Sequence, residues 1–212
     1  MTERVQTLGE EIANSVSHGF GLLAAVIGVP ILLVVTTHQG AAINIVGAAI
    51  FAVSMLLLYA VSTIYHALPE GRAKRVFVKL DHAAIFVFIA GCYTPFALGA
   101  LRGGWGWTLL GLVWGLAALG VTLKALDRLS RPWLSTGLYL LMGWLVVVAA
   151  VPLFTHVPAA GIGWLVAGGL AYTLGVVFFM TDSKVRFGHA VWHLFVLAGT
   201  ACHFVAVLDY AM

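Results

Sequence analysis

Stretches of about twenty residues with almost no charge recur along this chain, each long enough to cross the roughly 30 Å hydrocarbon core of a bilayer as a helix. Seven such windows stand at 19–37, 43–66, 82–101, 105–125, 133–154, 160–180 and 188–210. Inside hydrocarbon every backbone amide and carbonyl must be bonded within the protein, so a span is either a helix or a strand of a closed barrel. Continuous apolar runs of this length predict helices. Composition agrees: 62% of the residues are hydrophobic and 9% charged, against about 45–50% and 25% in soluble domains. The expected fold is an all-α integral membrane protein of seven transmembrane helices, a single domain over residues 19–212. Residues 1–18 precede it. There Val5, Leu8, Ile12 and Val16 recur at helical spacing, the pattern of an amphipathic interfacial helix. Glu3, Glu10 and Glu11 outweigh Arg4 in this segment, the wrong charge for a signal peptide, so the first span is expected to be retained.

Lysine and arginine predict the orientation. Arg4, Arg72, Lys74, Arg75, Lys79, Lys124, Arg128, Arg131, Lys184 and Arg186 fall on one side of the seven-span topology, and Arg102 alone on the other. The positive-inside rule puts the N-terminus in the cytoplasm and the C-terminus outside, the reverse of a G-protein-coupled receptor. The net charge of +3 resides in these loops. It suits anionic lipids of the inner leaflet and carries no sign of nucleic-acid binding. Trp105, Trp107, Trp133 and Trp164 lie near span ends as interfacial anchors. Pro30 and Pro95 are expected to kink their spans. Gly111 and Gly115 have the small-xxx-small spacing of helix packing. Cys92 and Cys202 lie in apolar runs and read as small buried residues rather than a disulfide.

Polar residues gather at one depth. Span two ends, on the side counted as cytoplasmic, with Ser62 and His66; span three begins there with Asp81 and His82; span seven begins there with His189 and His193. Glu11, Asn14 and His18 lead into span one at i, i+3 and i+7, a single helical stripe. His189 and His193 are four residues apart, so their imidazoles share a helix face. With His66 from a facing helix they offer three nitrogen donors, the ligand count of a catalytic zinc site that keeps an open position. No glutamate stands between the pair, which excludes the H-E-x-x-H metalloprotease arrangement. Asp81 is then the candidate base, and Ser62, one turn from His66, is suited to hold a water or a carbonyl. His82 points about 100° away from Asp81 on an ideal helix, and its role is open. Two other readings stand beside this one. Asp81, His82, His66 and His18 also compose a proton or ion relay without metal, and Asp81 with His82 also fits a helix N-terminus at the interface. Glu11 and Asn14 also read as caps of the first helix. His38 and His156 are expected in solvated outer loops. His203 lies ten residues beyond His193, about 15 Å deeper, outside the site but suited to line a wet cavity.

Glu11-x-x-Asn14-x-x-x-His18, Ser62-x-x-x-His66, Asp81-His82 with Ala90 to Phe96 downstream, and His189-x-x-x-His193 together resemble the progestin and adipoQ receptor superfamily, in its bacterial hemolysin III branch. The resemblance spans nearly the whole chain. It implies seven helices with a cytoplasmic N-terminus in the bacterial plasma membrane. It further implies zinc held by His66, His189 and His193, with Asp81 and Ser62 at the zinc-bound water. Receptor members are associated with ceramide hydrolysis, and the related alkaline ceramidases share the zinc arrangement. The expectation is a zinc-dependent hydrolase of a lipid amide or ester, linked to membrane homeostasis. The alternatives are a membrane-fluidity sensor with structural zinc, a proton-coupled transporter, or the cytolysin that the branch name suggests.

Overall fold

A computed structural model of the chain describes residues 6–39, 41–129 and 131–211. Arg4 and Val5, used above for orientation and amphipathicity, lie outside them. The described residues hold α1 (Leu8–Gln39), α2 (Ala42–Ala67), α3 (Arg72–Leu98), α4 (Gly104–Ala125), α5 (Pro132–Trp144), a 3-10 turn (Leu145–Ala149), α6 (Ala150–His156), α7 (Ala159–Thr181) and α8 (Gly188–Tyr210), with no strand among them. Seven segments are long and apolar enough to cross a membrane, α5 and α6 together forming the fifth. The expected all-α, seven-helix class is therefore observed.

Four boundaries or contacts differ from expectation, each for a physical reason. First, no break separates an interfacial helix from span one. A capping box starts α1: Glu10 Oε2 accepts from the Thr7 amide and hydroxyl, both at 2.9 Å, and the helix then runs unbroken to Gln39. Leu8, Ile12 and Val16 do form an exposed apolar stripe. The opposite polar stripe, Glu10, Asn14 and His18, is the buried one, so the amphipathicity belongs to a bundle that keeps its polar face inside. Second, α3 begins at Arg72, well before Asp81, which removes the helix-N-terminus reading of Asp81 and His82.

Third, the fifth span is interrupted. The ring of Pro152 clashes with a helical carbonyl four residues back, and the preceding Leu145–Ala149 tighten into a 3-10 turn. The Tyr93 hydroxyl serves the break: it donates toward the carbonyls of Met142 and Gly143 at 2.8 and 2.9 Å and accepts from the Val146 amide at 2.9 Å. Backbone groups that a helix would have paired are thus satisfied by a side chain, as hydrocarbon demands. Fourth, Gly111 and Gly115 face outward with open space where a Cβ would stand, so they pack against no helix among the described residues. The close approach is made elsewhere. A Cβ at Gly21 would meet Tyr59 and Leu197, and this glycine lets α1, α2 and α8 converge.

Helices α1 to α4 pack in sequential pairs, α7 packs on α8, and α8 returns to α1, closing the bundle. Helix α4 lies outside, against α3. The other spans surround an interior cavity of about 120 Å³ that reaches from His18, Ser62, Asp81, His82, His189 and His193 at one end toward His203. Trp105, Trp107, Trp133 and Trp164 are exposed near helix ends. His38 and His156 belong to the last turns of α1 and α6 rather than to loops.

Candidate metal centre

The three histidines predicted as ligands meet. One nitrogen from each of His66, His189 and His193 lies within 4.8 Å of the others, the one such group among the described residues. Their ring centroids are 5.1, 5.1 and 4.7 Å apart. Helix α2 supplies His66 in its last turn and α8 supplies the other two from its first turns, so three donors come from two helix ends.

The hydrogen bonds fix which nitrogen each ring offers. His66 Nδ1 donates to Glu11 Oε2 at 2.7 Å, and His189 Nδ1 donates to Asp182 Oδ2 at 2.8 Å. His193 Nδ1 donates to the Asn14 carbonyl at 3.1 Å and to Ser17 Oγ at 2.9 Å, the Ser17 hydroxyl spending its own hydrogen on the same Asn14 carbonyl. Carboxylate and carbonyl oxygens only accept, so each Nδ1 carries the hydrogen and each Nε2 presents a lone pair. Metal-binding histidines are oriented in this way, by a partner on the other ring nitrogen. His66 Nε2 is buried and has no partner within the protein, a costly condition that a metal ion would relieve. The donor set therefore fits a divalent transition metal.

Around the ligands the first helix is the scaffold. Glu11 Oε1 accepts from Lys74 Nζ at 2.8 Å, and Lys74, though read in the sequence as a basic loop residue, is buried. It also donates to the Leu68 carbonyl at 3.1 Å, closing the α2 end that carries His66. Asn14 Nδ2 donates to Gln6 Oε1 at 2.6 Å and lies 3.4 Å from His66 Nδ1. His18 stacks on His193, with centroids 3.5 Å apart and planes at 9°; its Nδ1 is 2.7 Å from Ser62 Oγ. Glu10 Oε1 accepts from the Phe187 amide at 3.0 Å. Phe187 has a left-handed backbone, φ 58°, unusual for a bulky residue, and Glu10 thereby pins the turn from which α8 starts.

Asp81 is buried and faces the same cavity as Ser62, His189 and His193. His82 lines it too, its ring edge-on to Phe179 at 6.2 Å and its carbonyl accepting from Tyr139 Oη at 2.9 Å. The expected 100° separation thus leaves both residues on the cavity wall. His203 stands outside the histidine group but lines the cavity farther in. The reading of the sequence missed Asp182, Ser17 and Lys74. For Asp182 a signal existed in its proximity to His189, but a turn intervenes, so helical periodicity does not connect them.

The profile of the haemolysin-III related family matches residues 6–204. Hemolysin-3 of Bacillus cereus is 42% identical over 212 residues, covering 100% of this chain and 96% of that protein. The hemolysin-3 homolog of Bacillus subtilis (strain 168) is 43% identical over 206 residues, covering 97% and 96%. The human monocyte to macrophage differentiation factor is 30% identical over 213 residues, covering 96% and 85%. The chain belongs to the haemolysin-III related family, the branch of the progestin and adipoQ receptor superfamily that its histidine, serine and aspartate motifs resemble.

Proposed function

We propose that this chain is a zinc-dependent hydrolase of a lipid amide or ester, working from within a bacterial plasma membrane. One observation carries the reading. Three imidazoles, each locked with Nε2 free, converge at the end of a cavity that also holds Asp81 and Ser62. Three imidazole donors favour zinc over magnesium or calcium. When bound there, zinc supplies Lewis acidity toward a carbonyl and lowers the pKa of water to about 7. His66, His189 and His193 hold it. Asp81 accepts the proton of the attacking water and returns it to the departing amine or alcohol, so that a C–N or C–O bond breaks and a fatty acid is released. Ser62, oriented by His18, donates to the substrate carbonyl. Glu11, Asn14 and Asp182 hold the rings in place. The rest of the cavity is walled by Leu58, Ile85, Phe88, Leu140 and Val196 among others, and an acyl chain is the ligand such walls accept. With the basic loops in the cytoplasm, the site lies in the inner leaflet.

Metal analysis of the purified protein tests the site, with about one zinc per chain expected and almost none in His193→Ala. Turnover of lipid amides and esters tests the enzyme: Asp81→Asn should keep the metal and lose turnover. A wild-type protein without zinc overturns the metal assignment. A zinc-loaded protein that turns over no lipid, and whose Asp81→Asn variant binds zinc as wild type does, favours a membrane-fluidity sensor with structural zinc.

A further inference from the structure

His203 is the sixth histidine of the bundle interior, beside His18, His66, His82, His189 and His193, and no step of the proposed chemistry uses it. It sits on α8 ten residues past His193, about 15 Å along the axis. Its ring forms part of the wall of the cavity that begins at the metal centre and of a second cavity beyond it. The two cavities share Cys92, Tyr93, Gly169 and His203 among their lining residues, so His203 stands where they meet.

The position is built. A Cβ at Gly168 would overlap the His203 ring, and a Cβ at Gly199 would overlap Tyr172, whose ring meets His203 edge-on at 5.3 Å. Gly168 thus makes room for the imidazole, and Gly199 for the Tyr172 ring that borders it, at a depth where a smaller apolar side chain would pack more simply. A polar ring inside a membrane is costly and is presumed functional. The Tyr172 hydroxyl is occupied with Thr200 Oγ1 at 3.1 Å and does not serve the ring.

The hydrogen bonds of His203 define what it lacks. Nε2 donates to the Leu165 carbonyl at 3.4 Å, which leaves the hydrogen on Nε2 and a lone pair on Nδ1. That Nδ1 is buried and has no partner. It is an acceptor waiting for a donor, and a partner must arrive through the cavity. An acyl chain anchored by its head at the metal centre would pass this point partway along its length.

We propose that His203 is a second polar contact of the lipid site: its Nδ1 accepts a hydrogen bond from a hydroxyl carried partway along the ligand's hydrocarbon chain, so the preferred ligand is a chain-hydroxylated lipid. This rests on the reading of the metal centre as a lipid-hydrolysing site. The acceptor character makes the claim specific, because a keto group at the same carbon has no hydrogen to give.

Ricinoleate and oleate differ by one mid-chain hydroxyl and are the probes. Their binding to purified protein in detergent is measured by displacement of a fluorescent fatty acid, alongside the keto analogue of ricinoleate, with zinc content determined in each preparation. Wild type should prefer ricinoleate over oleate by about tenfold, the worth of one neutral hydrogen bond that satisfies a buried group, and show no such preference for the keto analogue. His203→Leu should bind oleate as wild type does, retain zinc, and lose the preference. His203→Gln, which keeps an acceptor, should recover part of it and guards against misfolding of the leucine variant. Equal binding of ricinoleate and oleate by wild type, a preference that survives His203→Leu, or equal gain from the keto analogue overturns the proposal and leaves the metal centre standing. A zinc-loaded wild type that binds none of the three chains overturns both the proposal and the lipid reading on which it rests.

Discussion

Helix α8 carries two kinds of histidine. At its start, His189 and His193 each give Nδ1 to an oxygen that only accepts or is already spent, so their rings are held and Nε2 is the nitrogen left to coordinate. Deeper, His203 is held at one edge by a long hydrogen bond and its other nitrogen has no partner. The same side chain in the same helix is thus pre-set for coordination in one place and left incomplete in the other. The difference lies in the neighbours. The first helix and the α7–α8 turn bring Asn14, Ser17 and Asp182 to the rings near the helix start, whereas α7 meets His203 with Gly168, the Leu165 carbonyl and the edge of the Tyr172 ring, none of which partners its Nδ1.

Experiments that break this contrast should differ in size. Removing a ring from the anchored group, as in His66→Ala or His189→Ala, should bring bound zinc from about one per chain to near zero by elemental analysis; retention would show that two donors suffice and that the convergence of three has no consequence. Removing an anchor and keeping the ring is milder. Glu11→Gln and Asp182→Asn should weaken metal affinity by about 10–100-fold in chelator competition, and unchanged affinity would mean that the ring partners do not orient the ligands. Lys74→Met strips Glu11 of its cation but leaves the carboxylate on His66. A smaller loss is expected, on the order of a few-fold, with Lys74→Arg restoring most of it. Finally, Gly168→Ala should destabilise the folded bundle by about 1–3 kcal/mol through overpacking against His203, while Gly111→Ala, facing open space, should stay within about 0.5 kcal/mol; thermal unfolding in detergent would separate them, and equal stability would remove the argument that α7 is shaped around the deeper ring.

The spans were legible because a bilayer imposes one length and one polarity on every crossing segment. His66, Asp81, His189 and His193 were legible because helical spacing and loop charge fix face and depth together. What periodicity does not carry was lost. Asp182 reaches His189 across a turn, where no repeat links sequence distance to direction. Lys74 was counted with the charges that set orientation, yet its stem lies inside and its ammonium serves Glu11. The break in the fifth span lies in Leu145–Ala149, all apolar, so hydropathy passes through it unmarked; Pro152 was the available sign. The stripe of Leu8, Ile12 and Val16 was found, but an alternating pattern does not say which face is wet, and in this bundle the polar face is the interior one.

The break in the fifth span also has a mechanical consequence. A continuous helix resists bending because many backbone bonds must be distorted at once. Here the two halves, α5 and α6, are joined through a turn whose free groups are satisfied by one phenol, Tyr93. The same residue lines both cavities. Bending at this joint disturbs the few hydrogen bonds of one hydroxyl, each worth about 1 kcal/mol, rather than the backbone ladder of a helix. The joint of the fifth span and the wall of both cavities thus rest on the same side chain.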